Sequence, residues 1–331
     1  MTTAIVILNW NGKGLLEKYI PIVLKYSKGA TVYVADNAST DDSVSFIKEN
    51  FEEVKIIQNA ENTGYAGGYN ESLQFVEEDI LALVNSDIEV TENWLAPILK
   101  TFEKEENTAI IQPKILDEKK KTHFEYAGAA GGYVDKYGYA FCRGRIFNTL
   151  EKDENQYDNE TSIFWASGAC LFIRNSVFKS VNGFDMDFFA HYEEIDLCWR
   201  VKSLGYDVKF VGKSTVYHVG GATLENTSPF KTYLNFRNSL FTLLKNLPKG
   251  KLFPVIFTRM VLDGIAGVRF LTQFQFSHFF SILKAHFSFY KNLGKMYKKR
   301  TDNQISDYYE VNNIVSQYFI KGKKFFSVLK K

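Results

Sequence analysis

Between Thr3 and Phe102, short apolar runs alternate with segments whose apolar positions recur every three or four residues. The runs Thr3 to Leu8, Thr31 to Ala35, Val54 to Gln58 and Ile80 to Val84 have strand length and strand composition. Between the first two, Leu15, Leu16, Tyr19, Ile20, Val23 and Leu24 share one helical face, which Pro21 is placed to bend. Ser39 to Asp42 supplies caps for a second helix reaching Glu49; a third is expected from near Gly68 to Glu77 and a fourth from Trp94 to Phe102. This alternation predicts an α/β fold around a largely parallel sheet. In open sheets of this kind ligands bind beyond the carboxyl ends of the strands. Those ends are polar here: Asn9-Trp10-Asn11, Asp36-Asn37, Asn59 to Asn62 and Asn85-Ser86-Asp87.

From about Ile110 to Gly220 the pattern is mixed. Strand-like stretches, Ile110 to Ile115, Ile163 to Ile173, Asp207 to Val211 and Ser214 to His218, flank a charged loop near Glu151 to Glu160. A short helix follows Asn175, and another runs from Glu193 to Leu204, where Gly205 stops it. Further on, Leu252 to Tyr290 is rich in Phe, Leu and Ile but interrupted by Arg259, Asp263, Arg269 and Lys284. A spanning helix needs about 20 predominantly apolar residues. This stretch therefore reads as amphipathic helices, either packed on the main body or lying on an anionic membrane face.

Charge sharpens that division. Residues 1–229 carry 22 Lys and Arg against 34 Asp and Glu, a net −12, whereas residues 230–331 carry 18 against 4, a net +14, which together give the chain's +2. The 29 Phe and 19 Tyr suit a thick core or a surface that meets sugars or lipids. Cys142, Cys170 and Cys198 are far apart and lack ligand-like spacing, as expected of reduced thiols rather than disulfides or zinc. Met1 leads straight into the apolar Ala4 to Leu8 with none of the features of a secretion signal, so a cytoplasmic chain is expected.

Candidate chemistry lies in Val6 to Gly12 (VILNWNG), Asn62 to Asn70 (NTGYAGGYN), Asn85-Ser86-Asp87 and His191 to Arg200 (HYEEIDLCWR), with His218. Asp36 opens the turn Asp36-Asn37-Ala38-Ser39, where its carboxylate can accept the imino N–H of uracil or thymine, or cap the turn. Glycines 64, 67 and 68 allow close backbone approach and lead into a helix N-terminus, where anions are favoured. Their spacing, GxxGG after the third strand, is not the dinucleotide fingerprint. Glu193 and Glu194 open a helix whose dipole favours the ionised carboxylate, although acids in a first turn need no further role. Asp196 and Arg200, four apart, are placed to pair, with a diphosphate contact the alternative for Arg200.

In order and spacing these stretches resemble a family 2 glycosyltransferase of the GT-A fold, closest in pattern to the bacterial rhamnosyltransferase-like branch, over residues 3 to 245. The resemblance implies a GT-A catalytic domain over 1–229, with a nucleotide-binding half at about 1–115 and an acceptor-binding half at about 116–229, followed by a basic, aromatic-rich helical appendage, 230–331. It places Asp36 on the nucleobase and Asn9, Asn62, Gly64, Gly68 and Asn70 beside the donor nucleotide. Asn85 stands where the family often has an aspartate that touches sugar or ribose; being uncharged, it weakens the case for metal. Asp87 would meet Mg²⁺ or Mn²⁺, with His218 as a second ligand or a pyrophosphate or acceptor contact. Glu194 would be the general base, with Glu193 its neighbour and fallback. Trp165, Ser167 and Gly168, within Trp165 to Cys170 (WASGAC), would lie under the acceptor, Trp165 either stacking on a sugar face or filling core.

The expected reaction is inverting transfer from a nucleotide-diphosphate sugar of the dTDP-rhamnose or UDP-hexose class. The expected acceptor is a saccharide or polyprenyl-diphosphate-linked saccharide of surface polysaccharide synthesis. A non-catalytic nucleotide-sugar binder or scaffold of the same fold is the competing reading, set against the retention of Asp87, Glu194 and His218. A nucleic-acid partner fits poorly, because the basic tail shows no recognised motif. The Phe-rich tail suits packing on the domain, a homo-oligomer contact, or peripheral contact with the cytoplasmic face of a membrane.

Overall fold

A computed structural model describes residues 1–220 and 228–329. The chain order is β1 (Thr3–Asn9), α1 (Lys13–Tyr26), β2 (Thr31–Asp36), α2 (Ser43–Asn50), β3 (Lys55–Gln58), α3 (Gly64–Ser72), β4 (Ile80–Asn85), β5 (Ile88–Val90), α4 (Leu95–Lys104) and β6 (Thr108–Asp117). Four short strands follow, β7 (Gly132–Val134), β8 (Ala140–Cys142), β9 (Arg145–Ile146) and β10 (Thr149–Leu150). The body closes with β11 (Thr161–Ser162), β12 (Cys170–Arg174), α5 (Asn175–Ser180), α6 (Glu193–Ser203) and β13 (Asp207–His218), before α7 (Pro229–Asn246), α8 (Leu252–Thr272) and α9 (Phe276–Lys298).

Among the described residues the main sheet has nine strands in the order β11-β13-β6-β12-β4-β1-β2-β3, with β5 on β13. Parallel pairing joins β4, β1, β2 and β3, and separately β6 and β13; β12 runs antiparallel between β4 and β6. The first strands are apolar throughout because both faces are covered. Ile5 and Ile7 pack with Leu16, Ile20 and Val23 of α1, whereas Ala4 and Val6, one position out of phase, pack with Ala66, Tyr69 and Leu73.

Several boundaries move from their sequence expectations. Ile163 to Ile173 is not one strand: only Cys170–Arg174 pairs with β4, and residues 163–169 form a buried loop crossed by Trp165. The third helix starts at Gly64 instead of near Gly68, because Gly64, at φ +74°, makes the turn into it, and it ends at Ser72. α1 runs through Pro21. Asp207 to Val211 and Ser214 to His218 join into one strand, β13, with a register shift between Val211 and Thr215.

The basic tail is anchored in the body. α7 buries Asn238, Lys245 and Asn246, and α8 buries Arg259 and Asp263. Among the described residues, no helix is long and apolar enough to cross a membrane.

Candidate active site

The carboxyl ends of β1, β2 and β3 carry a ladder of amides and one carboxylate hydrogen-bonded to one another. Asn9 and Asp36 are register partners, which brings the Asn9 amide to 3.0 Å from Asp36 Oδ1 while Asp36 Oδ2 accepts from Ser39 N–H. Asn37 donates to Asn62 Oδ1 at 2.9 Å and to the Gly64 carbonyl at 3.0 Å. Asn59 donates to Asn37 Oδ1 and Gly68 O. Asn9 Oδ1 is buried without a partner, and a Cβ on Gly12 would stand 2.5 Å from it.

The glycine-rich turn does something other than present a bare helix end. The amides of Tyr65 and Ala66 reach the Phe189 carbonyl at 3.1 and 3.5 Å, and a Cβ on Gly64 would lie 2.7 Å from that same oxygen. The N-terminus of α3, expected to favour an anion, is thus turned toward the segment that precedes Glu193. Gly68 is pressed against Leu8 and Asn37. Asn70 exchanges two hydrogen bonds with the backbone of Phe184, so its amide is engaged away from the strand ends.

Strand register explains the meeting of Asp87 and His218. Ile88 opposes His218 across β5 and β13, so Asp87, one residue earlier, lies beside it, with His218 Nε2 3.1 Å from Asp87 Oδ1. On the other side, His218 Nδ1 is 3.1 Å from Glu125 Oε2, in ion-pair range but without hydrogen-bond alignment. Burial opposes charge on this imidazole, yet the two carboxylates prevail and raise its pKa to about 10. Sequence reasoning missed Glu125. In the structure Gly220, at φ +70°, lies against it: a Cβ there would come within 2.8 Å of Glu125 Oε1.

Among the described residues no group of three or more His, Cys, Asp or Glu side chains is arranged to hold a metal ion. The pair that is present, one carboxylate and one imidazole, has the right donor chemistry for Mn²⁺ or Mg²⁺, which commonly keep water and take substrate phosphates for the remaining positions. Such binding requires His218 to give up its proton.

Glu193 and Glu194 open α6 from a strained approach. Phe189, His191 and Tyr192 adopt φ values of 65°, 68° and 72°, a region that side-chain-bearing residues rarely occupy. Asn238 of α7 holds this segment: its fully buried amide nitrogen lies 3.0, 2.9 and 2.7 Å from the carbonyls of Phe188, Ala190 and His191. Below it, Lys245 pairs with Asp185 at 2.6 Å and Asp196 at 2.8 Å, and Lys299 adds a second cation to Asp185. Asp196 also accepts from Arg200 Nε at 2.8 Å, while the remaining guanidinium donors go to Val181 and Gly183 carbonyls. The pair expected within α6 is present, and Arg200 is fully engaged in structure.

Both glutamates keep a carboxylate oxygen buried without a hydrogen-bond partner. Glu193, 4% exposed, is pushed well above the usual carboxylate range by burial and by the charge of Glu194. Glu194 is partly exposed; burial raises it to about 7 against the pull of backbone N–H groups at the helix start. The expectation that the helix dipole would hold both carboxylates ionised is therefore overturned, because desolvation outweighs it. Tyr65, whose hydroxyl donates to Gly168 O at 2.7 Å, lies within electrostatic reach of both. Lys231 at the start of α7 lies within reach of His191 and of Glu125, linking this edge to the Asp87–His218 edge.

Trp165 is 2% exposed, donates Nε1–H to Tyr133 O at 2.9 Å and lies against Gly132, where a Cβ would meet its ring at 2.1 Å. Its ring is packed as core in this structure. Ser167 is buried and receives the Ala169 amide, and Gly168 meets Tyr65. Asn85 is half-buried at the end of β4, between these groups and β1. A cavity of about 350 Å³ is lined by Tyr126, Asn148, Lys231, Thr232 and Asn235, next in sequence to Glu125. A larger one, about 490 Å³, opens beside Met1, Asp79 and Arg174 at the opposite end of β4, away from the polar strand ends.

The sequence model of glycosyl transferase family 2 matches residues 4–181. The chain belongs to this family. Similar proteins include the N-acetylglucosaminyl-diphospho-decaprenol L-rhamnosyltransferase of Mycobacterium tuberculosis, 22% identical over 61% of this chain and 71% of that protein. The low-salt glycan biosynthesis hexosyltransferase Agl10 of Haloferax volcanii is 24% identical over 71% and 73%, and the rhamnosyltransferase WbbL of Escherichia coli 28% identical over 45% and 56%. The fold is likewise shared: GalNAc-T7, solved with UDP, GalNAc and Mn²⁺, superimposes with a TM-score of 0.59 at 17% identity, over 75% of this chain and 48% of that one. The mannosyltransferase PcManGT of Pyrobaculum calidifontis, solved with GDP-Man and Mn²⁺, gives 0.53 at 10% identity over 88% and 75%. This family 2 chain is a glycosyltransferase of GT-A fold in the rhamnosyltransferase-like branch. Glu193, Glu194 and His218 lie beyond the span matched by the family model.

Proposed function

We propose that this glycosyltransferase works by single displacement with inversion, Glu194 taking the proton of the acceptor hydroxyl as it attacks the anomeric carbon. The observation that carries the reading is the unequal environment of two adjoining carboxylates. Burial and the neighbouring carboxylate push Glu193, the more buried, well above the usual carboxylate range, whereas Glu194, raised to about 7, is poised to accept a proton. Asp36, fixed by Asn9 and Ser39, is assigned to the nucleobase, with Asn62, Gly64 and Gly68 shaping that edge and Asn85 near the sugar. Asp87 and His218 would hold Mg²⁺ or Mn²⁺, which supplies neutralisation of the diphosphate as it leaves. Loop 165–168 then supports the acceptor side from beneath, by packing.

The donor class is dTDP-rhamnose, with UDP-hexoses next, and the acceptor a lipid-linked saccharide. The name of the mycobacterial relative, an L-rhamnosyltransferase acting on N-acetylglucosaminyl-diphospho-decaprenol, supports both a rhamnosyl donor and a lipid-linked acceptor; that of the Escherichia coli relative supports rhamnosyl transfer, and that of the haloarchaeal one hexosyl transfer. The test is release of nucleoside diphosphate from dTDP-, UDP- and GDP-sugars with Mg²⁺ or Mn²⁺, in the presence and absence of a polyprenyl-diphosphate saccharide. Acceptor-stimulated release that is lost in Glu194→Gln is expected. Release unchanged in that variant removes Glu194 from the role, and release that ignores chelation removes Asp87 and His218 from the metal.

A further inference from the structure

α8 and α9 form a helical hairpin with a finished inner face. Arg259 pairs with Asp263 at 2.7 Å and reaches Ser239 of α7 at 2.8 Å, while Ile282, Ala285, Phe289 and Met296 of α9 are buried. The outer face is different. On α8, Phe253, Phe257, Val261, Ile265 and Val268 are 50–79% exposed and spaced four, four, four and three, which sets them on one helical stripe. On α9, Phe276, Phe280, Leu283, Phe287 and Tyr290 repeat the arrangement, with Phe287 73% exposed. The stripes join at the turn, where Phe274 meets Phe276 at a ring distance of 6.3 Å, and across the hairpin, where the Tyr290 hydroxyl lies 3.3 Å from Met260 Sδ. A continuous exposed apolar surface on this scale marks an interaction site.

Charge decides what covers it. Of the ten Lys and Arg from Lys249 to Arg300, Arg259 is buried against Asp263, Lys295 and Lys299 pair with Asp187 and Asp185, and Arg300 is spent on the Leu244 and Leu247 carbonyls; Lys249, Lys251, Arg269, Lys284, Lys291 and Lys298 have no carboxylate partner among the described residues, and the one acid, Asp263, is buried. A second copy laid face to face would bring cations against cations with no exposed acid on either hairpin to answer them. Anionic headgroups complement the same surface, and its aromatic rows match the boundary between headgroups and acyl chains. Neither helix is apolar enough to span, so the hairpin lies flat.

We propose that the outer face of the α8–α9 hairpin docks the enzyme on an anionic lipid bilayer, with Phe257, Phe280 and Phe287 among its anchors. The inference does not depend on Glu194 being the base. It is tested by floating the full chain with phosphatidylcholine vesicles, with and without phosphatidylglycerol. Recovery with the anionic vesicles is expected, and the triple variant Phe257→Ser, Phe280→Ser, Phe287→Ser should bind about tenfold or more weakly. Raised salt should weaken the wild type. Helical circular dichroism and donor hydrolysis should be unchanged in the variant, because the three rings pack on nothing essential. Failure of the wild type to float with anionic vesicles overturns the proposal, as does equal flotation of the variant. A dimer lost in the triple variant, without vesicle binding, overturns it in favour of a second copy.

Discussion

The two edges of the candidate site are built on opposite principles. At the ends of β1, β2 and β3, polar side chains are close in space through strand register and spend their hydrogen-bonding capacity on one another, as Asn9, Asp36, Asn37 and Asn59 do. At the start of α6, by contrast, two carboxylates are buried with an oxygen each unpartnered, behind three residues of left-handed backbone. The first edge is satisfied apart from Asn9 Oδ1 and suits a rigid nucleotide platform. The second stores unfavourable desolvation and strain, and persists because α7, distant in sequence, holds it through Asn238 and Lys245. Two desolvated carboxylates are thus held in a stable fold by a clamp outside the family-matched span.

If that contrast is right, substitutions at the second edge should have the larger effects. The greatest is expected for Glu194→Gln, with kcat down by about 10²–10⁴ and little change in donor affinity. The same change should stabilise the fold. A carboxyl group with a raised folded-state pKa favours the fold while protonated, and that advantage is lost as pH rises through about 7. Removing the charge should therefore add about 1–3 kcal/mol in denaturant melts above pH 7 and little near pH 4. Next comes Lys245→Ala, which leaves Asp185 and Asp196 short of a buried cation and should cost about 3–5 kcal/mol by the same melts. Asn238→Ala removes the side-chain donor shared by the Phe188, Ala190 and His191 carbonyls, of which Phe188 keeps Arg237 and the Ala190 amide, and should cost about 1–3 kcal/mol, with a fall in kcat from a misplaced Glu194. The smallest effect belongs to the first edge: Asp36→Asn should raise the donor KM with a penalty of about 1–2 kcal/mol and leave kcat nearly unchanged. An Asp36→Asn loss in kcat larger than that of Asn238→Ala would reverse the comparison.

The same contrast explains what was legible in the sequence. The first edge could be read because its residues sit at the ends of apolar runs, so Asn9, Asp36 and Asp87 were placed by periodicity alone. Glu193 and Glu194 stood out as a pair, but their environment did not: a helix start suggests ionised carboxylates, and only tertiary burial reverses that. Glu125, Asn238 and Lys245 carry no local signature. They act through contacts 47–93 residues away, such as Asn238 with His191 and Glu125 with His218. Trp165 was readable as either platform or filler, and Gly132 across the small sheet decides how it packs. The charge asymmetry separated the tail, yet it could not show that α7 is embedded while α8 and α9 leave an apolar face outward.

The central claim is that burial tunes Glu194 to accept a proton near neutral pH. The most direct measurement is the pH dependence of kcat/KM for the preferred donor and acceptor. The rate should rise about tenfold per pH unit on the acid side and level off near pH 7, as the carboxylate ionises. A profile already flat from pH 5 upward would contradict it, since an ordinary, unshifted carboxylate would then be doing the chemistry.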